Sequence, residues 1–312
     1  MTLPRLQLSV IGDEIGPSLD EMISFAHEHG LKNLDMRTVG GRNLLAMKIE
    51  EVIDISRKLE KAGIFVPAFV SPAFKWKAPG RFTSAGKVDF AFDPAQCPAE
   101  DWAAHAMQIA VILGAPHVRI FSYLRYGGFK PSDLAGLTGD LTKLLALAGH
   151  YDITLQLENE PVCNVGNITE LAEYFRILEE ANLKANRERD VEERIEKGDE
   201  YYEEPFYLKP LVDIANAWST GERPSDADIA VLAPITTAIH LKDRDLAAKR
   251  TVPLGDGDIP WPDELRRLLS RVKAKEVLAS IETHCPHDGR NATARSVAGL
   301  RRIAGEIGVE VV

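Results

Sequence analysis

A chain of 312 residues carrying a net charge of −10 is poorly suited to follow a phosphate backbone, which needs a basic track. Its composition, 45% hydrophobic and 27% charged, is that of a water-soluble protein, and no run of about 18 apolar residues offers a membrane span. Cys97, Cys163 and Cys285 form no CxxC pair, and the N-terminus lacks the basic and apolar regions of a secretion signal, so reduced thiols and a cytoplasmic location are expected.

In chain order, short apolar runs alternate with amphipathic helices. "RLQLSVIG" reads as a strand and "SLDEMISFAHEHG" as a helix closed by Gly30. "LKNLDMR" precedes the helix "KIEEVIDISRKLEKAG", and "IFVPAFV" follows directly. The helix "DWAAHAMQIAVILGA" leads to the strand "HVRIFSY", and "DLTKLLALAGHY" leads to "ITLQLE". After the helix "ITELAEYFRILEEA" come the strands "LKPLVDI", despite Pro210, and "PITTAIHLK". The helix "PDELRRLLSRV", the strand "VLASIE" and the helix "ATARSVAGLRRIAGEI" close the chain. Eight strands alternating with helices over this length predict an α/β protein, a (β/α)8 TIM barrel spanning residues 1–312 as one domain. A doubly wound sheet is disfavoured because "IGDEIG" after the first strand is not GxGxxG.

Two segments break the rhythm. The stretch Ser71–Pro98 follows the third strand on the face where barrel active sites form. Its length and aromatic content predict a substrate-covering loop with Phe74, Trp76 and Phe82 as apolar walls. The stretch Ala185–Pro205 is densely charged and reads as a solvated helical insertion before the sixth strand.

Four late strands end in groups that bind cations: Glu158, Asp213, His240 and Glu282. An acid at the tip of a buried strand costs desolvation energy unless a cation or proton meets it. One such residue is ordinarily a cap or an ion-pair partner. Four on consecutive strands of a barrel converge on one mouth, and three carboxylates with one imidazole suit one divalent ion: Mn2+ first, with Mg2+, Co2+ or Zn2+ as alternatives.

These residues, in this order, resemble the xylose isomerase-like barrels, specifically the sugar phosphate isomerase/epimerase group. "LQLENEP", "DIANAW", "IHLKDRD" and "SIETH" are similar to that group's fifth- to eighth-strand metal segments, and "VPLGDGDIPWPDELRRL" to its glycine-rich link. "LKNLDMR" and "HVRIF" are similar to strand ends that place an arginine near the substrate. The resemblance implies that Glu158, Asp213, His240 and Glu282 are metal ligands. Many members carry histidine three residues after the aspartate. Here that position is Asn216, which can bind a hydroxyl but cannot titrate.

The expected chemistry is proton transfer beside a carbonyl through a metal-stabilised enediolate, with Glu158 and Glu282 as bases. Lys242, two residues past His240, is expected to donate to a developing oxyanion, the alternative being an ion pair with Asp243 or Glu282. Arg37, Arg119, Asn216 and His284 are expected to bind substrate, though both arginines would serve equally well as partners of the acids. This reading gives an isomerase or epimerase acting on a small keto sugar, sugar acid or polyol, in a chain compatible with a homo-oligomer. The rival on the same fold is a lyase: a dehydratase, a decarboxylase or an enzyme cleaving C–C or C-glycoside bonds of 3-keto sugars. Rivals of another class are an apurinic-site endonuclease, opposed by the net negative charge, and a non-catalytic carbohydrate-binding subunit.

Overall fold

The computed structural model describes residues 2–86, 88, 90–129, 134–180 and 207–312. The charged stretch 185–205 falls outside them. The fold is a (β/α)8 barrel. Its first strand, Arg5–Val10, pairs in parallel with the eighth, Glu276–Ile281, and the sheet continues through the seventh, Ala238–Leu241, and the sixth, Leu208–Asp213. It ends with the fifth, Thr154–Glu158, the fourth, His117–Ile120, and the third, Ala68–Phe69.

The second strand position is taken by residues 33–36, which form only parallel bridges: Ile11 with Asp35, Asn33 with Phe65, and Met36 with Phe69. Those bridges close the ring between the first and third strands. Pro210 lies inside the sixth strand, opposite Leu157, and removes one ladder donor without ending the strand.

Helices cover the outside because their apolar stripes need the sheet. Leu19–Glu28 starts at a capping box in which Ser18 and Glu21 satisfy each other's backbone amides. Trp102–Leu113 starts at the Asp101 cap and stops at Gly114 in the left-handed conformation, as Gly289–Ile307 stops at Gly308. The sixth strand is followed by two helices the sequence reading lacked, Ile214–Ser219 and Asp226–Leu232.

Inside the barrel, Ile11, Ala68, Val70, Leu211, Ala238 and Leu278 form a separate apolar layer. Leu211, Ala238 and Leu278 are in register. Side chains two residues further along a strand face the same way. The next level is therefore Asp213, His240 and Ser280, again in register, with Lys242 and Glu282 above them. An apolar floor with a polar storey on top follows from that alternation.

Candidate metal centre

Glu158, Asp213, His240 and Glu282 come together at the C-terminal ends of their strands, with one ligand atom from each lying within 4.8 Å of the others. Each is at most 3% exposed. His240 places Nδ1 3.1 Å from Glu158 Oε1 and 3.6 Å from Glu282 Oε2. Asp213 also caps the helix Ile214–Ser219, accepting from the Asn216 amide at 2.7 Å. Asn159 fastens the fifth strand to the sixth: its carboxamide donates to the Asp213 carbonyl at 2.8 Å and accepts from the Asp213 amide at 2.9 Å.

Cations surround these acids. Lys242 Nζ donates to Asp213, and to Glu282 Oε2 at 2.6 Å. Arg119 Nη1 lies 3.2 Å from Glu158 and 3.5 Å from Glu282. Arg37 reaches Glu282 at 3.2 Å, Glu14 at 2.6 Å and Asp13 at 3.0 Å. Both arginines thus stand against protein carboxylates, and a substrate anion would have to share them. Lys242 pairs with Glu282, while Asp243 is engaged elsewhere: it accepts the amides of Arg244, Gly255, Gly257 and Ile259, so the glycine-rich link wraps around it. A side chain at Gly257 would collide with that carboxylate.

Asn216 Nδ2 donates to the Asn159 carbonyl at 2.9 Å and stands 3.5 Å from Glu158 Oε1. His284 Nε2 lies 3.3 Å from Glu282 and 3.4 Å from Glu14. Asp13 and Glu14, missed from the sequence, sit in the 3-10 turn Gly12–Glu14 directly after the first strand. Lys75, also missed, is buried 3.6 Å from Glu160 with its ammonium over the Phe121 ring.

Among the protein groups alone, charges are strongly coupled. Burial raises the Glu158 carboxyl, but His240 and Arg119 outweigh it and hold it down at about 2. Burial lowers His240, and Glu158 and Glu282 reverse this, lifting it to about 9. Burial dominates at Asp213, pushing it up to about 6 against the pull of Lys242. Glu282 is held well below the usual range, burial being overcome by Lys242, His284 and His240.

The residues fit a divalent ion on two grounds. The donor set, three carboxylates and an imidazole, is that of hard to borderline cations. The charge balance agrees in sign: Asp13, Glu14, Glu158, Asp213 and Glu282 outnumber the permanent cations Arg37, Arg119 and Lys242 that pair with them, leaving net negative charge when His240 is neutral. A bound cation offsets it.

Expected walls of the long loop distribute unevenly. Phe74 and Trp76 are buried with Trp102, Phe92 and Tyr123 in an aromatic cluster that anchors the loop. Phe82 is 96% exposed. Among the loop's described residues it is Phe90 whose ring meets the site, lying 4.2 Å from the Arg37 guanidinium and stacked on His284.

The fold is similar to that of xylose isomerase-like TIM barrels of known structure. A xylose isomerase domain protein from Planctomyces limnophilus superposes over 99% of both chains, with TM-score 0.64 and 16% identity. A crystal structure of IolI protein with a binding zinc atom covers 96% of this chain and 99% of its own, with TM-score 0.68 and 13% identity. L-ribulose 3-epimerase covers 97% of this chain and 95% of its own, with TM-score 0.62 and 12% identity. At such identities the likeness is one of fold. No protein-family model and no curated protein matches the chain by sequence.

Proposed function

We propose that the protein is a divalent-metal-dependent isomerase or epimerase acting on a keto sugar, sugar acid or related polyol, with Mn2+ as the favoured ion. The observation that carries this reading is the convergence of Glu158, Asp213, His240 and Glu282. The zinc-bound IolI protein and L-ribulose 3-epimerase, which share the fold, support it.

In this reading the four converging residues hold the ion, which when bound polarises a substrate carbonyl and acidifies the neighbouring C–H. Glu158 and Glu282, on the fifth and eighth strands, take and return the proton from different sides. Arg119 and His240 touch both carboxylates and so fix the gap between them. Lys242, kept protonated by Asp213 and Glu282, donates toward a developing oxyanion. Arg37, Arg119, Asn216 and His284 orient the substrate's oxygens. Burial of every one of these groups except His284 excludes water from the proton's path.

The test is turnover by the Mn2+-loaded protein on a panel of keto sugars and sugar acids, with products identified by mass and NMR. A mass-neutral isomer is expected. A substrate deuterated beside the carbonyl should slow single-turnover chemistry. Release of water, CO2 or an aglycone would replace the isomerase reading with a lyase, and no turnover across the panel at full metal loading would leave a binding protein.

A further inference from the structure

The site's inner groups are sealed: Glu158, Asp213, Glu282, His240, Lys242, Arg37 and Arg119 are each at most 3% exposed. A substrate must pass whatever lies over them. Two members of this network lie against the long loop: Arg37, just past the second strand position, and His284, just past the eighth strand. Both touch Glu282.

Phe90 spans these two. Its ring is 4.2 Å from Arg37 Cζ and lies nearly parallel to the His284 imidazole, 16° apart with centroids 5.7 Å apart. The His284 Nε2 atom is inaccessible and faces the Glu14 and Glu282 carboxylates. Yet Phe90 itself is 51% exposed and sits at φ 57°, a left-handed backbone that a bulky side chain avoids. Apolar surface in water and a disfavoured backbone both oppose this placement, and the stacking on Arg37 and His284 is what holds it.

We propose that Phe90 is the gate residue of the site: its ring closes the mouth over Arg37 and His284, and displacing it admits the substrate and limits its size. The gate is independent of the chemistry proposed above, whereas the size limit rests on that reading.

The gate is tested by diethylpyrocarbonate labelling followed at single histidines by peptide mass spectrometry. His150, exposed on a distant helix, serves as the rate reference, and buried His105, bonded to the Met47 carbonyl, reports that the fold is intact. Phe90→Ala should raise His284 labelling severalfold relative to His150, with His105 still protected. Phe90→Trp, which restores a ring, should return His284 labelling to the wild-type rate. Equal His284 rates in wild type and Phe90→Ala would overturn the gate, as would a Phe90→Trp protein that labels like Phe90→Ala. For size, kcat/KM of Phe90→Ala should shift toward bulkier members of the sugar panel, mainly through KM. An unchanged size order would overturn that half, and a wild type inactive on every sugar would refute the catalytic reading while the labelling still decides the gate.

Discussion

Glu282 shows how much one residue is asked to do. Arg37, Arg119 and His284 approach its Oε1, while Lys242 and His240 approach its Oε2. As a carboxylate it balances cations from several strands, and in the proposed reaction it also moves a proton. Glu282→Gln keeps the shape and removes charge and basicity. The variant should retain its fold while single-turnover chemistry falls by about 10²–10⁴, the contribution of a positioned base. Undiminished chemistry with a normal metal content would remove Glu282 from the reaction. Residues of this kind were legible in the sequence because an apolar run ending in an acid has few structural uses. Glu14 was not legible, although it too follows a strand: Gly12 and a 3-10 turn break the alternation by which an inward side chain can be read. Phe90 gave no signal either, because a ring in a long loop has no periodicity to say where it points, and Phe82 was the equally plausible choice.

At the scale of elements, the late strands were readable because both their faces are buried, the inner by the barrel and the outer by helices. The second strand is weaker than its sequence suggested, since only residues 33–36 bridge to their neighbours. The hairpin Asp243–Asp245 with Arg250–Val252 escaped notice because its strands are short and polar, and backbone bonds to Asp243 organise the link that follows. The fourth strand carries a separate, testable feature. His117, at its first position, is mostly buried with Nδ1 unpartnered, and burial pushes its imidazole down to about 4. A histidine lowered in the fold is protonated first in the unfolded chain, so stability is intact above about pH 6.5 and is lost as pH falls toward 4. That group accounts for about 3 kcal/mol over the window. His117→Gln, which does not titrate, should flatten the pH dependence of urea unfolding by that amount between pH 6.5 and 4. Superimposable wild-type and variant profiles would show that His117 is free to ionise in the fold.

For the molecule as a whole, the ring of strands is closed at its top by charges rather than by apolar packing. The acids and cations there come from the turn after the first strand, the second position, and the fourth to eighth strands. A cation bound among them therefore ties together most of the barrel, and its binding energy becomes folding energy. At a concentration 100 times its dissociation constant, a divalent ion should add about 2.7 kcal/mol, raising Tm by roughly 5 °C. Mn2+ should produce that rise after chelator treatment, and Asp213→Asn should largely abolish it while leaving a cooperative transition. Lys242→Met makes the prediction sharper. Methionine fills the space of the lysine stem but leaves Asp213 and Glu282 without their ammonium, and stripping one partner from a buried pair costs about 3–5 kcal/mol. In chelator, Lys242→Met should be destabilised by that amount. With Mn2+ it should recover more than the wild type gains, because the ion then replaces a missing charge as well as filling its own place. A Tm indifferent to both chelator and Mn2+ in all three proteins would mean that the carboxylates are balanced by the protein's own cations alone, and the metal centre would have to be abandoned.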